Sequence, residues 1–294
     1  MRAPDDAIGH IPSVLQAVLI VVAAIVLAPL LVWAWTRIMA PFFRALAPFR
    51  RLRLPKGPVP KAWRAIVARN VPLSKRLNDD ERERLLKLAQ LFVRDIPMEG
   101  VQGLDLTEEM RVTIAAQACL LVVNLHYPWF PKLRRVLVYP GTFAPVQLPS
   151  LHGSAIPGRT EPTAGQAWTD GMVILSWSDA RVRGSPDEAY NVILHEFAHI
   201  LDAEDGHMDG TPLLEPPSSP GTWERVLADA FARQQRSVEE GEPAMLRDYG
   251  ATKRSEFFAV ATEAFFETPT HLRAVAPEWY DELRTYYRQD PAAR

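Results

Sequence analysis

The stretch His195-Glu196-Phe197-Ala198-His199 decides the reading of this chain. Two histidines four apart stand one above the other on a helix face, so both imidazoles can close on one metal ion at tetrahedral angles. The glutamate beside the first histidine reaches a water held by that ion without itself being a ligand. Apolar Val192, Ile193, Phe197, Ile200 and Leu201 recur at helical spacing, and Gly206 ends the run. Upstream, Ser185-Pro186-Asp187-Glu188 offers a serine cap, a proline at the first helical position and acids in the first turn.

A catalytic zinc site needs a third protein ligand and a position left open. His207 is rejected, because the extended histidine motif of metzincins requires glycine at 202 and histidine at 205, where this chain has Asp202 and Asp205. Better candidates lie on the apolar run from Ser255 to Phe266. Glu256 and Glu263, seven apart, share nearly one helix face, and acids on such a face need a partner. Zinc would satisfy one of them; in the alternative, one glutamate caps the helix start and the other pairs with an arginine. Periodicity does not separate the two.

The 294 residues suffice for one large domain or two modest ones, and the net charge is −2. Its distribution is uneven. Residues 37–76 hold eleven basic side chains and no acid, so the neck is basic and the rest acidic. Ahead of it, Val14 to Trp35 is apolar apart from Gln16 and is broken only by Pro29, long enough to cross a bilayer as a helix, with Trp33 and Trp35 at an interfacial position. A cleaved signal peptide fits less well, since Asp5 and Asp6 outweigh Arg2 and no small-x-small site follows. The positive-inside rule places the neck and everything after it in the cytoplasm. The organisation expected is a non-cytoplasmic tail 1–13, a transmembrane helix 14–35, a juxtamembrane neck and linker 36–76, and a catalytic domain 77–291. Attraction of residues 14–76 to membrane lipid explains the basic run more simply than nucleic acid, and no direct nucleic-acid binding is expected. The single cysteine, Cys119, excludes an intramolecular disulfide.

Within the body, Asn78 caps a charged amphipathic helix reaching Arg94, and a second helix runs from Thr107 to Leu125. Val136–Tyr139 reads as a buried strand. Met172–Trp177 reads as a strand just upstream of the metal helix, either in the core or bordering a cleft where an extended substrate pairs with it.

His195 to Asp202, Asp209-Gly210-Thr211-Pro212, Tyr249 and Ser255 to Val260, with Ala115 to Leu120 and Val136 to Pro140 upstream, together resemble the Mlc titration factor A family of bacterial zinc peptidases. The resemblance covers roughly residues 77–291. It implies an α+β, zincin-like metallopeptidase fold with a helical N-terminal part, related to the catalytic domain of anthrax lethal factor. It implies Zn2+ held by His195, His199 and Glu256, with Glu196 as general base and a peptide or protein as substrate. Tyr249 matches a tyrosine that faces the water or oxyanion in that fold. Asp202, one turn past His199, is either an orienting acid behind a ligand or a helix-end acid. Family members are linked to a transcriptional regulator, so a regulator is an expected partner. The anchor departs from soluble members and implies the inner membrane of a bacterium. The rival reading is a membrane-tethered adaptor that binds a regulator, with zinc serving structure or control.

Overall fold

The computed structural model describes residues 54–126, 129–141, 171–182, 184 and 189–294, with the backbone of 165–167. The chain divides into two units, Met1–Arg51 and Leu52–Arg294, and the described residues belong to the second. The tail, the proposed span 14–35, the neck up to residue 53 and the cap at Ser185–Glu188 lie outside the described residues. Among the described residues, no helix is long and apolar enough to cross a membrane.

The body takes in residues that the sequence assigns to the linker. Helix α1 (Lys61–Asn70) and a 3-10 turn (Pro72–Arg76) bury Trp63, Ile66, Val67 and Leu73 in the main core. Their cations are engaged there: Arg64 pairs with Glu83 at 2.7 Å and Arg69 with Glu109 at 2.8 Å. An amphipathic face explains this placement, since those four apolar side chains have no other surface to bury against.

Helix α2 (Asp79–Asp95) starts on the expected cap. The Asn78 side chain accepts from the Glu81 N–H while Glu81 reaches back to the Asn78 N–H, a reciprocal capping box. Strand β1 (Met98–Gly100) leads to helix α3 (Glu108–Val122), capped by Thr107. From Val112 to Val122 every residue of α3 is buried, so it is a central helix rather than a surface one.

Strands β2 (Arg135–Tyr139), β3 (Gly165–Ala167) and β4 (Met172–Ser176) complete a four-stranded sheet of order β1-β2-β4-β3. β1, β2 and β4 are parallel, with Val136 opposite Val173 and Val138 opposite Leu175, while β3 runs antiparallel to β4. The two-residue period sorts the side chains. Val136, Val138, Val173 and Leu175 join the main core, whereas Met172 and Ile174 form a small cluster with Leu137 and Tyr139 on the opposite face. This topology selects the core alternative for the strand at 172–177 over the cleft-bordering one. β4 is hydrogen-bonded along both edges, so it has no backbone groups to lend a substrate. The outer strands are β1 and β3, and the backbone of β3 runs beside the metal helix.

After a short helix α4 (Trp177–Ala180) come α5 (Val192–Asp202), which carries the motif, and α6 (Pro220–Glu240). A 3-10 turn (Asp248–Ala251), α7 (Arg254–Glu267), α8 (Pro269–Val275) and α9 (Pro277–Tyr287) follow. Aromatic rings lock α6, α7 and α9 together, with Trp223 and Trp279 at 4.9 Å and Phe257 and Trp279 at 5.7 Å between ring centres. The architecture is mixed and helix-dominated α+β.

Candidate metal centre

Helix α5 is buried along its whole length. Its back is held by Phe197, whose ring lies 5.2 Å from Phe130 and 5.7 Å from Phe92. Burying that one side chain contributes about 1.5–3 kcal/mol. The helix begins later than Pro186 suggests, because residues 189–191 are not helical. Asn191 is the cap: its Oδ1 accepts from the Leu194 N–H at 3.1 Å, and its Nδ2 donates to Gln117 and Glu267 at 2.8 and 2.7 Å. A buried asparagine with both ends of its amide satisfied fixes the helix start. At the other end Gly206, at φ +106°, closes the run as expected.

The i, i+4 spacing brings the two imidazoles edge to face, 4.9 Å apart. Helix α7 packs across α5 and delivers Glu256 from its first turn. Glu256 Oε2 lies 3.1 Å from Nε2 of His195 and 3.1 Å from Nε2 of His199. Its other oxygen, Oε1, is 3.3 Å from the Lys253 ammonium. Ligand atoms at zinc distances in a tetrahedral site stand about 3.3 Å apart, and those of His195, His199 and Glu256 all lie within 4.8 Å of one another. Two nitrogens and one carboxylate oxygen are the donor set of a catalytic zinc. Two further buried atoms, Glu196 Oε2 and His199 Nδ1, have no hydrogen-bond partner among the described residues. Leaving such an atom unsatisfied costs about 1–3 kcal/mol, a cost that proteins accept at working sites. The residues therefore fit a zinc-binding site.

Glu263, the alternative ligand, has a different task. It is 0% exposed, and its Oε1 sits 2.9 Å from Nδ1 of His195, on the side of the ring away from Glu256. It also pairs with Arg247 through Oε1 and accepts the Asn191 N–H through Oε2. A spacing of seven residues, two helical turns, thus places two glutamates on opposite nitrogens of one imidazole, Glu256 with the ligand set and Glu263 behind it.

Electrostatics follow from this crowding. Burial pushes the His195 imidazole down, but its hydrogen bonds to Glu256 and Glu263 override that and hold it up at about 10 in the metal-free protein. His199 is lowered, chiefly by burial. Burial would raise Glu256, yet the bonds from both histidines hold its carboxyl far below the usual range. Glu196 rises to about 8, first through burial, with the neighbouring charge of Glu256 and Glu263 adding to it against the opposing pull of His195.

Tyr249 is half-buried in the 3-10 turn before α7, its ring 6.0 Å from that of His195. Asp202 does not reach a histidine. Both its oxygens accept from the Gly210 N–H, at 2.9 and 3.0 Å, and burial lifts its carboxyl to about 7. It holds the turn that follows α5, ahead of α6, instead. Gly210 there has φ +84°, and a Cβ would meet the Arg254 carbonyl oxygen at 2.7 Å. The Asp-Gly-Thr stretch thus clamps the end of α5 to the start of the helix that carries Glu256. His207 is exposed and outside the cluster.

Sequence reasoning missed Arg247, Lys253 and Asn191. Asn191 carried a signal, an asparagine directly before an apolar periodic run. Arg247 and Lys253 carried none.

A family described as glucose-regulated metallo-peptidase M90 matches residues 46–288. The protein slr2042 of Synechocystis sp. is 35% identical over 245 residues, covering 83% of this chain and 89% of its own. Mlc titration factor A of Yersinia pestis, like that of Yersinia pseudotuberculosis, is 32% identical over 231 residues, covering 77% of this chain and 84% of its own. With a match through nearly all of the folded body, and the ligand cluster standing inside it, this chain belongs to the glucose-regulated metallo-peptidase M90 family.

Proposed function

We propose that this metallopeptidase hydrolyses peptide bonds with Glu196 as the general base, at zinc held by His195, His199 and Glu256. The observation that carries this reading is the buried, unpartnered Oε2 of Glu196 beside the converging ligands. A structural zinc site has no use for such an oxygen. When bound, zinc polarises the scissile carbonyl and acidifies the attacking water. Glu196 Oε2 takes the proton from that water and hands it to the departing amine. Tyr249 donates its hydroxyl hydrogen to the developing oxyanion, and the tight seating of α5 keeps these groups in register.

The apolar stretch 14–35 and the cations that follow it support an anchor that sets this chemistry at the cytoplasmic face of a bacterial inner membrane. Relatives named for titration of Mlc favour a second reading, an adaptor that binds a transcriptional regulator. The two separate cleanly. Incubating the zinc-loaded chain with a peptide library and mapping new termini by mass spectrometry yields cleavage if the chain is a peptidase. No new termini at full zinc occupancy, together with regulator capture undiminished in His195→Ala, would favour the adaptor.

A further inference from the structure

We propose that Arg247 is a positioning residue of the metal centre, one that fixes Glu263 behind His195 and so aims the histidine at the metal. The proposal rests on the zinc reading above and extends it to a side chain that touches neither ligand nor substrate.

One fully buried carboxylate is gripped from three directions. His195 Nδ1 reaches Glu263 Oε1 at 2.9 Å, the Asn191 N–H donates to Oε2, and Nη2 of Arg247 pairs with Oε1. Among these only Arg247 brings a full permanent charge. A carboxylate with no solvent contact needs one, because its burial costs several kcal/mol unless the charge is matched. The arginine is itself held in place. Its guanidinium carbon stands 5.1 Å from the centre of the Tyr190 ring, within cation–π range, and its side chain is 21% exposed. Its Nε is buried without a partner. The guanidinium is therefore placed for Glu263 and Tyr190 rather than to satisfy its own donors.

The consequence at the metal is directional. A histidine that donates Nδ1–H to a fixed carboxylate keeps the lone pair of Nε2 for the ion, with its ring plane set. Nε2 of His195 is the atom that faces Glu256. Tyr190 directly precedes the α5 cap, and Arg247 lies two residues before Tyr249. The Arg247–Glu263 pair thus ties three things together: the start of the motif helix, the ligand His195, and the segment that carries Tyr249.

The test uses the full chain with Arg247→Met, Arg247→Lys and Tyr190→Leu. Zinc dissociation is read by competition with a chromophoric chelator at fixed pH, beside the visible spectrum of the Co2+-substituted protein and the melting temperature of the metal-free form. Arg247→Met is expected to weaken zinc by about 10–100-fold and to shift the Co2+ bands. Arg247→Lys, which keeps the charge, is expected to recover most of that loss. Tyr190→Leu keeps every charge and is expected to weaken zinc by about 2–5-fold, the worth of an exposed cation–π contact; it carries the test if the methionine variant does not fold. A folded Arg247→Met that lowers only the melting temperature, with zinc affinity within about twofold of wild type, overturns the proposal. So do methionine and lysine variants that are equally impaired, or an unchanged Tyr190→Leu where the methionine variant is unfolded. A wild-type chain that takes up no zinc overturns the zinc reading itself.

Discussion

Glu256 Oε2 lies 3.1 Å from Nε2 of His195, although the two residues are 61 positions apart in the chain. The contact exists because α7 crosses α5 at its first turn, where a carboxylate is also favoured by the helix dipole. Seven residues further along the same face, Glu263 meets the other nitrogen of the same ring. One glutamate stands in the His195–His199 cluster; on the proposed reading the other orients His195 from behind.

That division predicts unequal losses. Glu263→Ala should weaken zinc by about 10–100-fold, as removing an orienting carboxylate does, whereas Glu256→Ala should weaken it far more. Chelator competition on the two variants measures both. Equal losses, or the reverse order, would show that the roles are misassigned.

Local periodicity explains why the pair of histidines was legible from spacing alone, whereas Glu256 was singled out only by the family resemblance. His195 and His199 are fixed by one turn of one helix. Glu256 and Glu263 share a face, so only the depth at which α7 crosses α5 separates them, and that is a tertiary fact. The alternative in which one glutamate pairs with an arginine turns out to describe Glu263, through Arg247. The strand at 172–176 was visible as an apolar run, but its place between β2 and β3 depends on pairing with residues far away in the chain. The start of α5 at Val192 is set by the Asn191 network, which local spacing did not reveal.

Asn191 is a cap with two extra bonds, so Asn191→Ala should cost at least the about 0.5–2 kcal/mol of an ordinary cap. At about 2–4 °C per kcal/mol for a domain of this size, the melting temperature of the metal-free protein should fall by several degrees. An unchanged melting curve would mean the helix is set by packing alone.

Asp202 gives the fold a pH signature. Burial raises its carboxyl to about 7, above its value in the unfolded chain, so the folded state holds a proton that the unfolded chain has released. Its stability contribution is present below about pH 4 and is lost as pH rises toward 7. Asp202→Asn keeps an acceptor for the Gly210 N–H but does not titrate. Melting temperature, variant minus wild type, should therefore increase from pH 5 to pH 8. A difference that is flat with pH, or that decreases, would contradict the assignment.

Tyr249→Phe removes one hydroxyl near the site. If that group stabilises the oxyanion, kcat should fall by about 10²–10³-fold, with zinc content unchanged and KM little affected. A KM effect alone would make Tyr249 a substrate-packing residue.

The central claim is that Glu196 moves the proton. The most direct measurement is the rate of peptide hydrolysis by Glu196→Gln at zinc occupancy equal to wild type, established by metal analysis of the same samples. The account predicts full zinc and loss of hydrolysis to near background. A zinc-loaded Glu196→Gln that cleaves peptides at the wild-type rate would contradict it.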